Sequence, residues 1–280
     1  MVIKRKIPTI PITEIEQSAF CQTDEELASK TLAEEFSAGV RWQKLPVEYM
    51  RMSPEELRQR ITSARAKLGD TTVILGHHYQ RDEIIEFADV RGDSFKLSQY
   101  AASQGQSQHI IFCGVHFMAE TANILSEPHQ KVILPNITAG CSMADMAQID
   151  DVMDCWDDLE RVFGDKGGVV PITYMNSTAA IKALCGRNNG IVCTSSNAPA
   201  TFDWAFERGQ RVLFLPDQHL GRNTALKMGI GVDEMVVWNP FKELGGHTEE
   251  ELINAKMILW QGHCSVHTRF TVDQIEKARE

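Results

Sequence analysis

The 280-residue sequence has no apolar run approaching the ~20 residues that a membrane helix needs. Its basic N-terminus, MVIKRKIPTIPITEIEQ, is interrupted by two prolines and by polar residues, so it lacks the continuous apolar core of a secretory signal. An excess of basic residues is also missing. With 28 Lys and Arg against 38 Asp and Glu, the formal net charge is −10, which argues against a nucleic-acid face or a polybasic membrane arm. Neither a GxGxxG nor a Walker pattern is present, and no HExxH places two histidines on one helix face. There is no CxxC pair, so a zinc ribbon or a thioredoxin-like centre is not expected. The seven cysteines are odd in number and widely spaced, which argues against a disulfide framework. These absences leave a cytoplasmic, soluble protein as the expectation. At 43% hydrophobic residues the chain can bury a proper core, more readily as two small domains than as one.

What is present is alternation. The first 48 residues read as a helical extension, with Thr23 as N-cap of TDEELASKTLAEEFSAG. A second helix is expected from SPEE, where Ser53 and Glu56 form a capping box, Pro54 takes the first helical position and Gly69 follows the last turn. Short apolar strands and amphipathic helices then alternate. TTVILG, HIIFCGV and KVILP are strands, with RDEIIEFADV, FMAETANILS and TAGCSMADM as the helical partners. The pattern recurs with GGVVPITYM, GIVCTS, RVLFLP, EMVVW and MILWQG as strands. NSTAAIKALCG, closed by Gly186, and GRNTALKMG are its helices, and a polar insertion surrounds FKELGGHTEEEL. FTVDQIEKARE begins a last helix. Such alternation predicts parallel βα units. The boundaries fall at 1–48, 49–163 and 164–280. Each half ends with a strand followed by a cysteine, Cys141 and then Cys264, and duplication would give those two thiols equivalent places.

In parallel βα folds the loops at the carboxyl ends of the strands build the site. Here those loops are GHHYQ, RGDS, TYMNST, TSSNA and DQHLGR, rich in His, Tyr, Ser and Asn. Ser94, Asn176 and Ser195 have an ordinary role open to them as helix caps. His77 and Tyr79 lie two apart after a strand. If strand geometry persists, both point the same way, where the pair could handle protons or merely face solvent. His267, three after Cys264, could be a ligand, a proton donor or a surface residue. For Cys141 and Cys264 the residues alone leave core filler, half of a disulfide and metal ligand open.

Taken together, LGHHYQRDEIIEFADVRGDSFKLS, GVHFMAETANIL, PNITAGCSMAD, YMNSTAAIKA, CTSSNA, FLPDQHLGR and WQGHCSVH resemble the motifs of the quinolinate synthases, in order, from about residue 50 to 271. The resemblance implies repeated three-layer α/β/α units with short parallel sheets around a pseudo-threefold axis, of which two are present here behind the N-terminal extension. It implies a [4Fe-4S] cluster held by one cysteine from each unit, which maps onto Cys141 and Cys264. The implied reaction condenses iminoaspartate with dihydroxyacetone phosphate to quinolinate, with loss of phosphate and water, in NAD biosynthesis. An aspartate-oxidising enzyme would supply the iminoaspartate. By motif, His77, Ser94, Tyr174, Met175, Asn176 and Ser195 would hold substrate, Tyr79 would shuttle protons, and His267 would share in catalysis. Cys113 lies in a motif where the family needs no thiol.

The family's third unit, with a His-Pro-Glu segment, a Gly-Ser-Thr loop and a third cysteine, would follow FTVDQIEKARE and has no match. The chain is therefore read as a fragment of such an enzyme. The competing readings are a catalytically inactive dicarboxylate- or phosphate-binding fragment, a metal-dependent aldolase or hydrolase using His77, His78, His116 and His219, and a metal-free sugar-phosphate enzyme.

Overall fold

A computed structural model describes residues 46–164 and 168–280. The helix expected around Thr23 lies outside the described residues. Two compact units are distinguished, Met1–Glu55 and Glu56–Glu280. In the first, the described residues form a short helix, α1 (Val47–Met50).

α2 (Pro54–Leu68) lies almost wholly in the second unit, starts at the expected proline, and is followed by Gly69 in a left-handed conformation at φ +51°. The chain then runs β1 (Thr72–His77), α3 (Asp82–Ile85), β2 (Val90–Gly92), α4 (Ser94–Ser103), β3 (His109–Cys113), α5 (His116–Leu125) and β4 (Lys131–Ile133). These strands make a four-stranded parallel sheet in the order β2-β1-β3-β4. After α6 (Ser142–Asp145) and α7 (Ile149–Phe163) come β5 (Val169–Tyr174), α8 (Ala179–Arg187), β6 (Ile191–Cys193), α9 (Ala198–Phe206), β7 (Arg211–Leu215) and α10 (Gln218–Lys227). β8 (Met235–Trp238), α11 (Glu249–Asn254), β9 (Met257–Trp260) and α12 (Val272–Lys277) complete the chain. The second sheet is also parallel, in the order β6-β5-β7-β9-β8. The α/β class with parallel sheets is thus as expected. Strands β6-β5-β7-β9 of the second sheet repeat the order of the first, and β8 is added beside β9.

Strand alternation shows why the second sheet is covered on both faces. Leu213 and Leu215 of β7, with Ile258 and Trp260 of β9, join a core with Val152 and Leu159 of α7 and Ile181 of α8. Val212 and Phe214, with Met257 and Leu259, point the other way, into a core with Phe202 of α9 and Ala225 of α10. In the first sheet Val73, Leu75, Ile110 and Phe112 face Leu97 of α4 and Phe117 of α5. Each fully buried side chain of this size is worth about 1.5–3 kcal/mol. That outweighs surface ion pairs such as Arg58–Glu86 at 2.9 Å, worth roughly 0–1 kcal/mol.

Several local expectations are corrected. RDEIIEFADV is not one helix: α3 stops at Ile85 and Val90 begins an edge strand. Asp89 causes the break, because its carboxylate accepts the Ile74 N–H at 2.7 Å and pairs with Arg65 at 2.6 Å, while its own N–H donates to the Ile74 carbonyl at 2.8 Å. α8 runs through Gly186 to Arg187. Asn188 takes over the end, its amide donating to the Leu184 carbonyl at 3.0 Å, and Asn189 adopts the left-handed turn at φ +55°. Asp93, rather than Ser94, caps α4 by accepting the Lys96 N–H. Thr178, rather than Asn176, caps α8 by accepting the Ile181 N–H. Ser195 precedes the N-cap position of α9, which is Asn197. TAGCSMADM opens only a single turn, α6, and the long amphipathic α7 follows as a separate helix.

Candidate functional site

The loop before Cys141 is built by local polar contacts. Asn136 Oδ1 accepts both the N–H and the hydroxyl of Thr138, at 3.0 and 2.7 Å, and the Ala139 carbonyl accepts the His116 N–H of α5 at 2.8 Å. This delivers Cys141 to the N-cap position of α6, half-buried. Burial is the main influence on its thiol and raises the pKa above the ordinary value. The N–H groups of Ala144 and Met143 pull it down, and the nearby Cys264 and Asp145 push it up.

Cys264 arrives from the other sheet. Trp260 ends β9, and Gly262 then passes so close to the PDQHLG turn that a Cβ there would strike the Pro216 carbonyl oxygen. The Gly262 carbonyl accepts the Gln218 N–H at 3.0 Å. The Trp260 indole N–H donates to the Met146 carbonyl at 2.8 Å, and the residues just after the two cysteines meet, Ser142 Oγ lying 3.1 Å from Ser265 Oγ. The two cysteine loops therefore converge. Cys113, Cys155, Cys185 and Cys193 are also free thiols. Of these, burial drives Cys185 and Cys193 up to about 12, which marks them as inert core residues.

A cavity of about 400 Å³ adjoins Cys264 and is lined by Tyr174, Ser195 and His267, all singled out in the sequence. Burial raises the Tyr174 phenol, and a hydrogen bond from Ser195 favours its ionised form in opposition. The YMNS loop behind Tyr174 is tied down by hydrogen bonds and packing. The Met175 N–H donates to the Cys193 carbonyl at 2.8 Å, the Ser177 hydroxyl donates to the Tyr174 carbonyl at 2.8 Å, and Met175 is packed into the core of the first sheet. Sequence reasoning assigned no role in this site to Asp217 and Asn223, and raised His219 only for a zinc centre, yet all three line the cavity from the start of α10. Their i, i+2 and i+6 spacing after a strand was the available signal.

His77, Tyr79, Ser94, Met175 and Asn176 are not among the residues lining that cavity. The first two form a separate aromatic group at the end of β1. Strand geometry stops at His77, so Tyr79 turns to solvent with its ring edge-on to His77, centroids 4.6 Å apart, and His78 stacks on His77 at 4.5 Å. Burial, then the neighbouring His78, lowers the His77 pKa to about 4, with Asp93 acting in opposition. His77 is therefore a neutral imidazole near pH 7.

Among the described residues no three His, Cys, Asp or Glu side chains converge as a metal site, and no helix is long and apolar enough to cross a membrane. The four histidines of the zinc reading do not assemble: His116, for example, faces Glu120 at 3.9 Å.

A family model described as "NadA: Quinolinate synthetase A protein" matches residues 59–280. Curated proteins named quinolinate synthase are similar along most of the chain. The protein from Corynebacterium glutamicum is 62% identical over 239 residues, covering 85% of this chain and 60% of its own length. That from Acidobacterium capsulatum is 56% identical, covering 82% and 62%, and that from Halalkalibacterium halodurans 54% identical, covering 85% and 64%. The chain spans about three fifths of the length of these relatives. With the family model matching residues 59–280, well over half of the sequence, this chain belongs to the quinolinate synthetase A family.

Proposed function

We propose that this chain provides two of the three units of a quinolinate synthase, divided near Phe163, and part of its active site. The whole enzyme would condense iminoaspartate with dihydroxyacetone phosphate to give quinolinate, phosphate and water. An aspartate-oxidising enzyme would supply the iminoaspartate. The observation that carries the reading is the convergence of the Cys141 and Cys264 loops, Ser142 Oγ to Ser265 Oγ at 3.1 Å, beside the cavity of Tyr174, Ser195 and His267.

Two soft thiols on converging loops, with backbone N–H groups directed at one of them, support an iron–sulfur reading. Cys141 and Cys264 would hold a [4Fe-4S] cluster together with a third ligand. Such a cluster supplies an open iron as a Lewis acid. Around it, Ser195, the Tyr174 phenol and Asn176, with the backbone of Met175 between the last two, would hold a substrate carboxylate or phosphate. His267, on the cavity wall, would exchange a proton with substrate. In the first sheet His77, neutral, and Ser94 would hold a substrate carboxylate or phosphate, and the exposed Tyr79 phenol would move protons during enolisation and dehydration.

Anaerobic reconstitution of the 280-residue chain tests the assignment. Iron and sulfide uptake is expected to fall on Cys141→Ser and on Cys264→Ser but not on Cys113→Ser. Uptake unchanged by the first two would overturn it. A second reading is favoured by one observation, that two thiols rather than three converge among the described residues. On that reading the chain binds a dicarboxylate or phosphate without turnover, and calorimetry with L-malate and inorganic phosphate would detect binding where no quinolinate forms.

A further inference from the structure

The two thiols are bracketed on both sides. Trp260, four residues before Cys264, is fully buried, and its indole N–H donates to the carbonyl of Met146, five residues after Cys141, at 2.8 Å. The same methionine's Sδ accepts the His263 N–H at 3.4 Å. On the other side, the residue directly after each cysteine supplies a hydroxyl, and Ser142 Oγ lies 3.1 Å from Ser265 Oγ. A buried indole needs a partner for its N–H, so that bond alone would be ordinary packing. The serine pair has no such explanation. Exposed hydroxyls are well solvated, and joining loops 123 residues apart stabilises the fold little. It ties together the two backbone segments that carry the neighbouring thiols.

We propose that Trp260, Ser142 and Ser265 are positioning residues that brace Cys141 and Cys264 as a preformed dithiol pair. This rests on the reading that both thiols serve one ligand. Neither serine need touch that ligand: each fixes the backbone that carries its neighbouring sulfur. Preorganisation of this kind raises affinity for anything that must bond both sulfurs at once, and leaves the reactivity of either thiol alone unchanged.

The test uses phenylarsine oxide and the reduced, metal-free 280-residue chain. Two As–S bonds form, the arsenic–oxygen bond breaks, and the oxygen leaves as water with both thiol protons, without oxidation or reduction. Wild type is expected to bind one equivalent at this pair, lost in Cys141→Ser. Cys185 and Cys193 are each about 1% exposed and stay out of reach in the folded chain. Ser142→Ala with Ser265→Ala, and separately Trp260→Phe, should each weaken binding by about tenfold, the value of one good hydrogen bond. Ser142→Thr alone, which keeps the hydroxyl, should bind as tightly as wild type, and the rate of single-thiol alkylation should not change. If wild type binds nothing at these cysteines, the shared site falls and the brace with it. If wild type binds but the alanine and phenylalanine variants bind as tightly, the brace is overturned while the shared site stands. Should Trp260→Phe fail to fold, the serine variants decide the matter.

Discussion

The ammonium of Lys182 donates to the carbonyl of Ser177 at 2.7 Å and to the hydroxyl of Thr121 at 3.0 Å, from a side chain that is almost wholly buried. Glu120, next to Thr121 on α5, accepts the Ala179 N–H at 2.9 Å. One helix of the first sheet thus grips the YMNS loop of the second. Burial lowers the Lys182 pKa to about 8, with Glu120 opposing.

The first prediction concerns this lysine. Lys182→Ala leaves the Ser177 carbonyl and Thr121 hydroxyl short of a donor and opens a cavity. It should cost about 2–4 kcal/mol in urea unfolding. Lys182→Met keeps the volume and should cost less. The pH dependence has a definite sign. Between about 8 and the ordinary lysine value of 10.5, the unfolded chain holds a proton that the folded chain has released. Wild-type stability should therefore gain on Lys182→Met as pH rises through that window, by no more than about 1.4 kcal/mol per pH unit. A constant difference from pH 7 to pH 10 would contradict it.

His77 gives the acid-side counterpart. Its folded pKa of about 4 lies below the ordinary 6.5, so on acidification the unfolded chain takes up a proton first. Stability contributed above 6.5 is lost as pH falls toward 4. His77→Gln should flatten the decline between pH 6.5 and 4 in paired urea titrations, and an equally steep decline in the variant would exclude this residue as its source.

Gly262→Ala should be poorly tolerated. The added methyl meets the Pro216 carbonyl oxygen, and one of two backbone segments has to move. Overpacking of this kind costs about 1–3 kcal/mol, read as a lower thermal midpoint. A midpoint within the error of wild type would mean that the two loops are not in contact.

Ser195→Ala should raise the Tyr174 pKa further, because the hydrogen bond that favours the phenolate is lost while burial remains. Titrating tyrosinate absorbance, with Tyr174→Phe subtracted as the blank, isolates the group. An unchanged or lower value would break the link between the two side chains.

Much of the architecture is legible in the sequence because it depends on periodicity. Apolar strands such as RVLFLP and MILWQG stand out even though both faces are buried, since Gly, Pro and polar residues bound them. What escaped was set by single tertiary contacts. Val90–Gly92 is too short to signal itself, and it is a strand because Asp89 stops the preceding helix from across the fold. The α8 terminus was assigned to Gly186 on glycine's freedom, but Asn189 tolerates the left-handed turn as well. Cys141 and Cys264 could be singled out by repetition. Their meeting through Ser142 and Ser265 could not, since nothing local couples positions 123 residues apart. Asp217 and His219 were visible only in the polar loop DQHLGR, His219 also as a candidate zinc ligand, and Asn223 only within the helix GRNTALKMG. Their place on the cavity wall follows from how α10 leaves β7.

The outermost strands of both sheets are brief: β2, β4 and β6 have three residues each and β8 has four. An open sheet presents two margins, and long margins invite a second copy of the chain to add on by backbone pairing. Margins this short expose few unpaired amides, and Arg91 and Lys131 place charge on two of them. Self-association by strand addition is thereby disfavoured without closing either sheet into a barrel.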